Sequence, residues 1–155
     1  MKRKSFVIGL MLAAVIPAKA IGLAKMCSNI EGVTTITITK QMMGFLSQMP
    51  TEMVDFEALA DKLNQVEFVT VTDEDKLKEV EARVLNYLGS HRYYEEMLSF
   101  RDGTEKINLY AWKAPSGENE YLILIIEPYE VTAVLLQGTL TPEDVGKFTD
   151  ISSNM

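Results

Sequence analysis

The chain has 155 residues, with 22 acids against 15 lysines and arginines, one cysteine, one histidine and a net charge of −7. At roughly 100–200 residues per domain, one domain is expected. An acidic surface repels nucleic-acid phosphates and anionic headgroups, so nucleic acid is not an expected partner, and a lone cysteine excludes an intrachain disulfide.

The N-terminus reads Met1-Lys2-Arg3-Lys4-Ser5, then an apolar run from Phe6 to Ile16, then Pro17-Ala18-Lys19-Ala20. A basic segment, an apolar segment and a small-x-small site, in that order, predict a cleavable secretory signal over residues 1–20. The apolar run is 11 residues long, too short for a bilayer that needs about 20. Cleavage after Ala20 leaves a single domain over residues 21–155. It removes four cations and no acid, so 11 cations face 22 acids in the mature chain. Acylation of Cys27 is not expected, because Lys25-Met26 precede it where lipoprotein processing needs small residues; a buried apolar role on a first helix fits better.

Ile21 to Ile30 predicts a short helix, with Leu23, Met26 and Ile30 at helical spacing and Gly32 after its end. Val33 to Thr39 alternates β-branched residues and predicts a strand, with Ile36 and Ile38 on one face and threonines on the other. Lys40 to Met49 predicts a helix stopped by Pro50. Asp55 to Gln65 predicts another, with Phe56, Leu59, Ala60 and Leu63 on one stripe, and Val66 to Val71 a second strand. The strongest helical signal follows. Thr72 is the expected cap, Asp73, Glu74 and Asp75 suit the positive end of the dipole, Leu77, Val80, Val84 and Leu88 form the buried stripe, and Gly89 marks the expected end.

The C-terminal half reads as a meander. Tyr94–Arg101 and Glu105–Lys113 flank Asp102-Gly103, a strong hairpin signal. The loop from Ala114 to Asn119 leads to Glu120–Ile126, and Glu127-Pro128-Tyr129-Glu130 turns the chain into Val131–Gln137. These last two strands are apolar on both faces and should be central and covered. The longest later apolar run, Tyr121 to Ile126, has the length of a strand, so no transmembrane segment is expected in the mature chain. Thr141, Pro142, Glu143 and Asp144 open a final helix, with Val145 and Phe148 pinning it to the sheet. The expected fold is α+β: a mixed, mostly antiparallel sheet of about six strands, with a C-terminal four-strand meander and helices packed mainly on one face.

The order of these features, with "VTTITITKQMM" (33–43), "YYEEMLSFRDGTEKINLYAWK" (93–113) and "LLQGTLTPEDVGKF" (135–148), resembles the domain-of-unknown-function 4252 family of exported Bacteroidetes proteins. The likeness spans nearly the whole mature chain. It implies compartment and architecture: a host with two membranes, and the periplasm or outer envelope. It implies no reaction, because each motif is a strand or cap pattern.

No residue pattern specifies a chemistry. His91 is the only histidine, and Ser90 beside it in sequence supplies no oriented nucleophile. Cys27, His91 and carboxylates have no zinc-ligand spacing. Asp73-Glu74-Asp75 lacks the alternation, glycine and closing glutamate of a calcium loop, and Glu95-Glu96 and Glu118/Glu120 read as solvated strand edges. No phosphate loop is present. Neither a metal nor a cofactor is expected, and no catalytic residue is assigned. The methionines Met42, Met43, Met49, Met53 and Met97 suit core filling better than a pliable groove.

The candidate binding face is Asn108, Tyr110 and Trp112. Alternation along Glu105–Lys113 puts these on one side and Ile107, Leu109 and Ala111 on the other. The aliphatic side is expected under helices, and the aromatic side nearer to solvent or to a partner. The function expected is therefore a non-enzymatic envelope module that binds another protein or a peptide. The alternative is a small envelope hydrolase whose carboxylates converge only in space.

Overall fold

The computed structural model describes residues 22–46, 60–91 and 94–146. Its framework is a six-stranded sheet in the order β1-β2-β6-β5-β4-β3. The strands are β1 (Val33–Thr39), β2 (Leu63–Val71), β3 (Glu95–Asp102), β4 (Glu105–Lys113), β5 (Asn119–Ile126) and β6 (Val131–Gly138). All five pairings among the described residues are antiparallel, so the parallel pairs expected in a mixed sheet are not found among them. The meander β3–β6 forms as expected, and β6 then pairs with β2, which joins the two halves of the chain in one sheet.

The two strands with apolar residues on both sides are indeed central. β5 and β6 each bury four consecutive residues, Tyr121–Leu124 and Ala133–Leu136. On one face Val69, Leu122, Leu124, Ala133 and Leu135 meet Leu23 and Cys27 of α1 (Leu23–Cys27) and Val80, Val84 and Tyr87 of α3 (Leu77–His91). Each buried valine or leucine among them contributes about 1.5–3 kcal/mol of burial. Arg83 ties the two helices together by donating to the Met26 carbonyl at 3.1 Å. The other face is covered in part: Val66, Tyr121, Ile123, Val134 and Leu136 pack with Met43 of α2 (Lys40–Leu46) and with Leu140 and Val145. Residues 142–146 are helical. Their opening is a reciprocal cap, in which Asp144 N donates to Thr141 Oγ1 at 3.3 Å and Thr141 N to Asp144 Oδ2 at 3.0 Å. The other expected anchor of this helix, Phe148, lies outside the described residues.

Several boundaries differ from expectation for identifiable reasons. Leu63–Gln65 belong to β2, not to a helix, because they pair with Gly138 and Gln137; residues 55–59 lie outside the described residues. The cap before the long helix is Asp73, whose carboxylate accepts from Asp75 N at 3.1 Å and opens a 3₁₀ turn at Glu74–Lys76. Gly89 does not end α3, which continues to His91. The β3–β4 hairpin pairs Asp102 with Glu105, so Gly103-Thr104 is the two-residue loop. Within that loop positive φ falls on Gly103, at 61°, and not on Thr104, which favours the II′ form over the I′ form that needs it at both positions.

Candidate functional site

β3 is an edge strand, and all eight of its residues are exposed. A register shift between Glu96 and Leu98 leaves Met97 as the irregularity in its pairing with β4, the kind of bulge that re-aims an edge. Beyond it, alternation puts Leu98 and Phe100 on the side of Ile107 and Leu109. Leu98 and Phe100 are 50% and 49% exposed, and Ile107 and Leu109 are half-buried. The result is an apolar strip along an open edge. α2 packs against β1 and β2, at the far end of this face.

The expected trio does share one face, but that face carries α1 and α3. Tyr110 lies opposite Leu122, and Asn108 opposite Leu124, both members of the core under those helices. Asn108 is therefore buried, not a surface contact. Its amide donates to Glu96 Oε1 at 2.8 Å and Ser99 Oγ at 3.3 Å, and holds β3 against β4. Tyr110 is half-buried and packs on the core, with burial and the nearby Glu96 raising its hydroxyl pKa. Trp112 is half-buried too, in a polar row with Glu120 and Gln137. The aliphatic set splits: Ala111 is buried, whereas Ile107 and Leu109 lie beside the open edge.

A second constellation was not read from the sequence. Glu67 of β2 is 3% exposed and points to the α1/α3 face, between Thr37 and Leu135. The N–H groups of Leu23 and Ala24, at the start of α1, donate to its carboxylate, supplying the cap that Gly22 cannot. Its Oε2 has no hydrogen-bond partner among the described residues. Burial pushes its pKa above the ordinary carboxylate value, the two amides oppose that shift, and Glu120 adds to it. Glu120 itself is no solvated edge residue: it accepts from the Tyr94 hydroxyl and from Gln137 Nε2 at 2.8 Å. Desolvation raises the Tyr94 hydroxyl pKa far above its usual value, with Tyr87 and Glu120 adding to the shift. The signal available for Glu67 was its parity with Val69 and Val71, the two apolar residues that follow it on that side of β2.

The domain of unknown function DUF4252 matches residues 28–148. The chain belongs to the DUF4252 family. No curated protein matches it. Among solved structures, PA94 of Pseudomonas aeruginosa, a protein of unknown function, is similar at 12% identity and a TM-score of 0.38, over 79% of this chain and 77% of that one. A likeness of that size carries no functional argument.

The chemistry open to this DUF4252 domain follows from accessibility. Glu67 lies beneath α1, with Gly22 packed directly on its carboxylate, so a substrate has no approach to it. Cys27 is buried, and that burial raises its thiol pKa, keeping it in the unreactive protonated form. His91 is the last residue of α3. Asp73, Glu74 and Asp75 are exposed at the start of the helical segment, and among the described residues no group of three or more His, Cys, Asp or Glu is placed to hold a metal ion. No helix among them is long and apolar enough to cross a membrane. Of the methionines, Met43 is core, while Met42 and Met97 are exposed; Met49 and Met53 lie outside the described residues.

Proposed function

We propose that this chain is a non-enzymatic binding module, exported to the periplasm or outer envelope of a bacterium of the Bacteroidetes type. There it takes an extended segment of another envelope protein onto the free edge of β3. The observation that carries the reading is the exposure of all eight β3 residues. An open strand offers unpaired backbone donors and acceptors, which give an added strand its affinity, and alternate side chains give specificity. Leu98 and Phe100 suit apolar residues on one side of such a strand. The acidic surface, with 22 acids in the whole chain, favours a partner that carries lysine or arginine outside the strand.

The other edge, β1, is a weaker candidate because four of its seven residues are threonine. The hydrolase reading has less support, since its most perturbed carboxylate, Glu67, is sealed under α1. Export is supported by the three-part pattern of residues 1–20.

The test is site-specific photo-crosslinking in cells expressing the full chain. A photoreactive residue replaces Phe100, or Ile36 on β1 as a control that is 51% exposed. A discrete adduct from position 100, absent from position 36 and lost on Leu98→Lys, supports the reading. Equal labelling from both positions, or no adduct from either, overturns it.

A further inference from the structure

The two edges of the sheet are built differently. β3 carries Glu95, Glu96, Arg101 and Asp102 and an irregularity at Met97, features that restrict an edge to partners able to match them. β1 has none of these. Its seven residues, Val33–Thr39, include no charge and no proline, and they pair with β2 in unbroken register. Among the described residues no strand pairs with its outer side. Ile36 is 51% exposed there, and Met42 and Phe45 of α2, the next element in the chain, are 49% and 60% exposed. A flat, uncharged edge beside exposed apolar side chains is one that natural proteins normally cover.

The composition of β1 indicates what covers it. Threonine offers little grip to a foreign apolar segment, but it is a strong strand former and pairs well with itself across strands. With 22 acids against 15 lysines and arginines, most of this surface repels a second copy of the same chain. β1 is a stretch where that repulsion is absent. A two-fold axis perpendicular to the sheet keeps each face on its own side, so residues opposite one another must share a parity. Ile36 is the middle residue of the strand. With Ile36 on the axis all seven residues pair: Ile36 with itself, Thr35 with Thr37, Thr34 with Ile38 and Val33 with Thr39. Just past the ends, Lys40 of one copy comes opposite Gly32 of the other, beside Glu31. Glu31 and Lys40 are both exposed, so the same register that matches the strands sets two opposite charges together at each end.

We infer that β1 is a self-association edge: two copies of this chain join β1 to β1 in antiparallel register about Ile36, forming one continuous sheet of twelve strands. The two β3 edges then lie at the far ends of that sheet and stay free. The Glu31–Lys40 pairs fix the register and disfavour unlike partners more than they add affinity, and the strand backbones with Ile36, Met42 and Phe45 supply the buried surface.

The experiment uses protein recovered from cells expressing the full chain. Light scattering on a sizing column is expected to read twice the mass that mass spectrometry gives for the same preparation, at micromolar concentration. Ile36→Lys sets two ammonium groups against each other on the axis, and should yield a monomer with an unchanged far-ultraviolet spectrum. Glu31→Lys should loosen the dimer several-fold, and Lys40→Glu added to it should restore it. Cysteine substitution reads the register even where a lysine variant fails to fold. Residues opposite each other in antiparallel strands have Cα atoms about 4.5–5.5 Å apart, within the span of a disulfide. Ile36→Cys should therefore link two copies on mild copper oxidation while Thr34→Cys does not; the natural Cys27 is buried. A monomeric wild-type protein, a dimer that folded Ile36→Lys leaves intact, or linking at position 34 as readily as at 36 overturns the inference. A photoreactive residue at position 36 gives an adduct of two copies of this chain, whereas an adduct from position 100 holds another protein, so the two edges are tested separately.

Discussion

A close backbone approach at the end of β6 gives a sharp stability test. Gly138 ends β6 and lies over the β-bulge where β2 begins, pairing with Leu63 on one side and Asn119 on the other. A Cβ at Gly138 would strike the Lys62 carbonyl oxygen, with Lys62 C at 2.9 Å and Leu63 Cα at 3.0 Å. These are backbone atoms flanked by strand pairing, so they cannot swing aside as a side chain would. The same carbonyl accepts from Thr139 N at 2.9 Å, a bond that any retreat would stretch. Gly138→Ala is expected to cost about 3–4 kcal/mol, from overpacking plus the weakened hydrogen bond. In a domain of this size that is roughly 10–15 °C. Gly89→Ala is the internal control: it lies within α3 with nothing inside 4 Å of the new carbon, and should gain up to about 1 kcal/mol. Urea unfolding of both variants decides the matter. A loss below about 1 kcal/mol at Gly138, or equal effects at the two glycines, would refute the reasoning.

Asp144→Asn removes the carboxylate that receives Thr141 N and ion-pairs with Lys62 at 3.0 Å. The expected cost is about 1 kcal/mol at neutral pH, small because Lys62 is partly exposed. The Thr141 N–H and then Lys62 hold the Asp144 carboxyl below its ordinary value. Its contribution is therefore full above the unfolded value of about 3.9 and lost as pH falls through the lower folded value; acid titration of stability, wild type against variant, should show the two curves converging only below about pH 4. Tyr94→Phe deletes the donor to Glu120 and should cost about 1–2 kcal/mol in a urea melt. Trp112→Ala should cost less than the roughly 3–5 kcal/mol of a core tryptophan, because Trp112 is only half-buried; a loss on the full core scale would place it in the core.

Elements defined by local pattern were legible in the sequence. The runs Tyr121–Ile126 and Val131–Gln137 could be recognised as central strands because both faces are apolar, and the structure buries them. The helix at Leu77–His91 was legible from its stripe, although Gly89 reads as a stop signal and tertiary packing of Val80, Val84 and Tyr87 overrides it. Leu63 fitted both a helical stripe and a strand start; its pairing with Gly138, far along the chain, decides for the strand. The candidate site was legible in parity only. Period-two alternation gathers Asn108, Tyr110 and Trp112 correctly, but which face α1 and α3 cover depends on contacts such as Arg83 with Met26, which no local pattern encodes. Glu67 escaped notice for the same reason: its burial comes from α1, far earlier in the chain.

The central claim is that β3 is an open edge awaiting a partner's strand, and amide hydrogen exchange tests it most directly. In the isolated protein, the amides of β3 should exchange well before those of β5 and β6, whose strands are paired on both sides. In the crosslinked complex, the β3 amides should slow while β1 stays unchanged. Protection of β3 equal to that of the central strands in the isolated protein, or unchanged exchange on binding, would contradict the account.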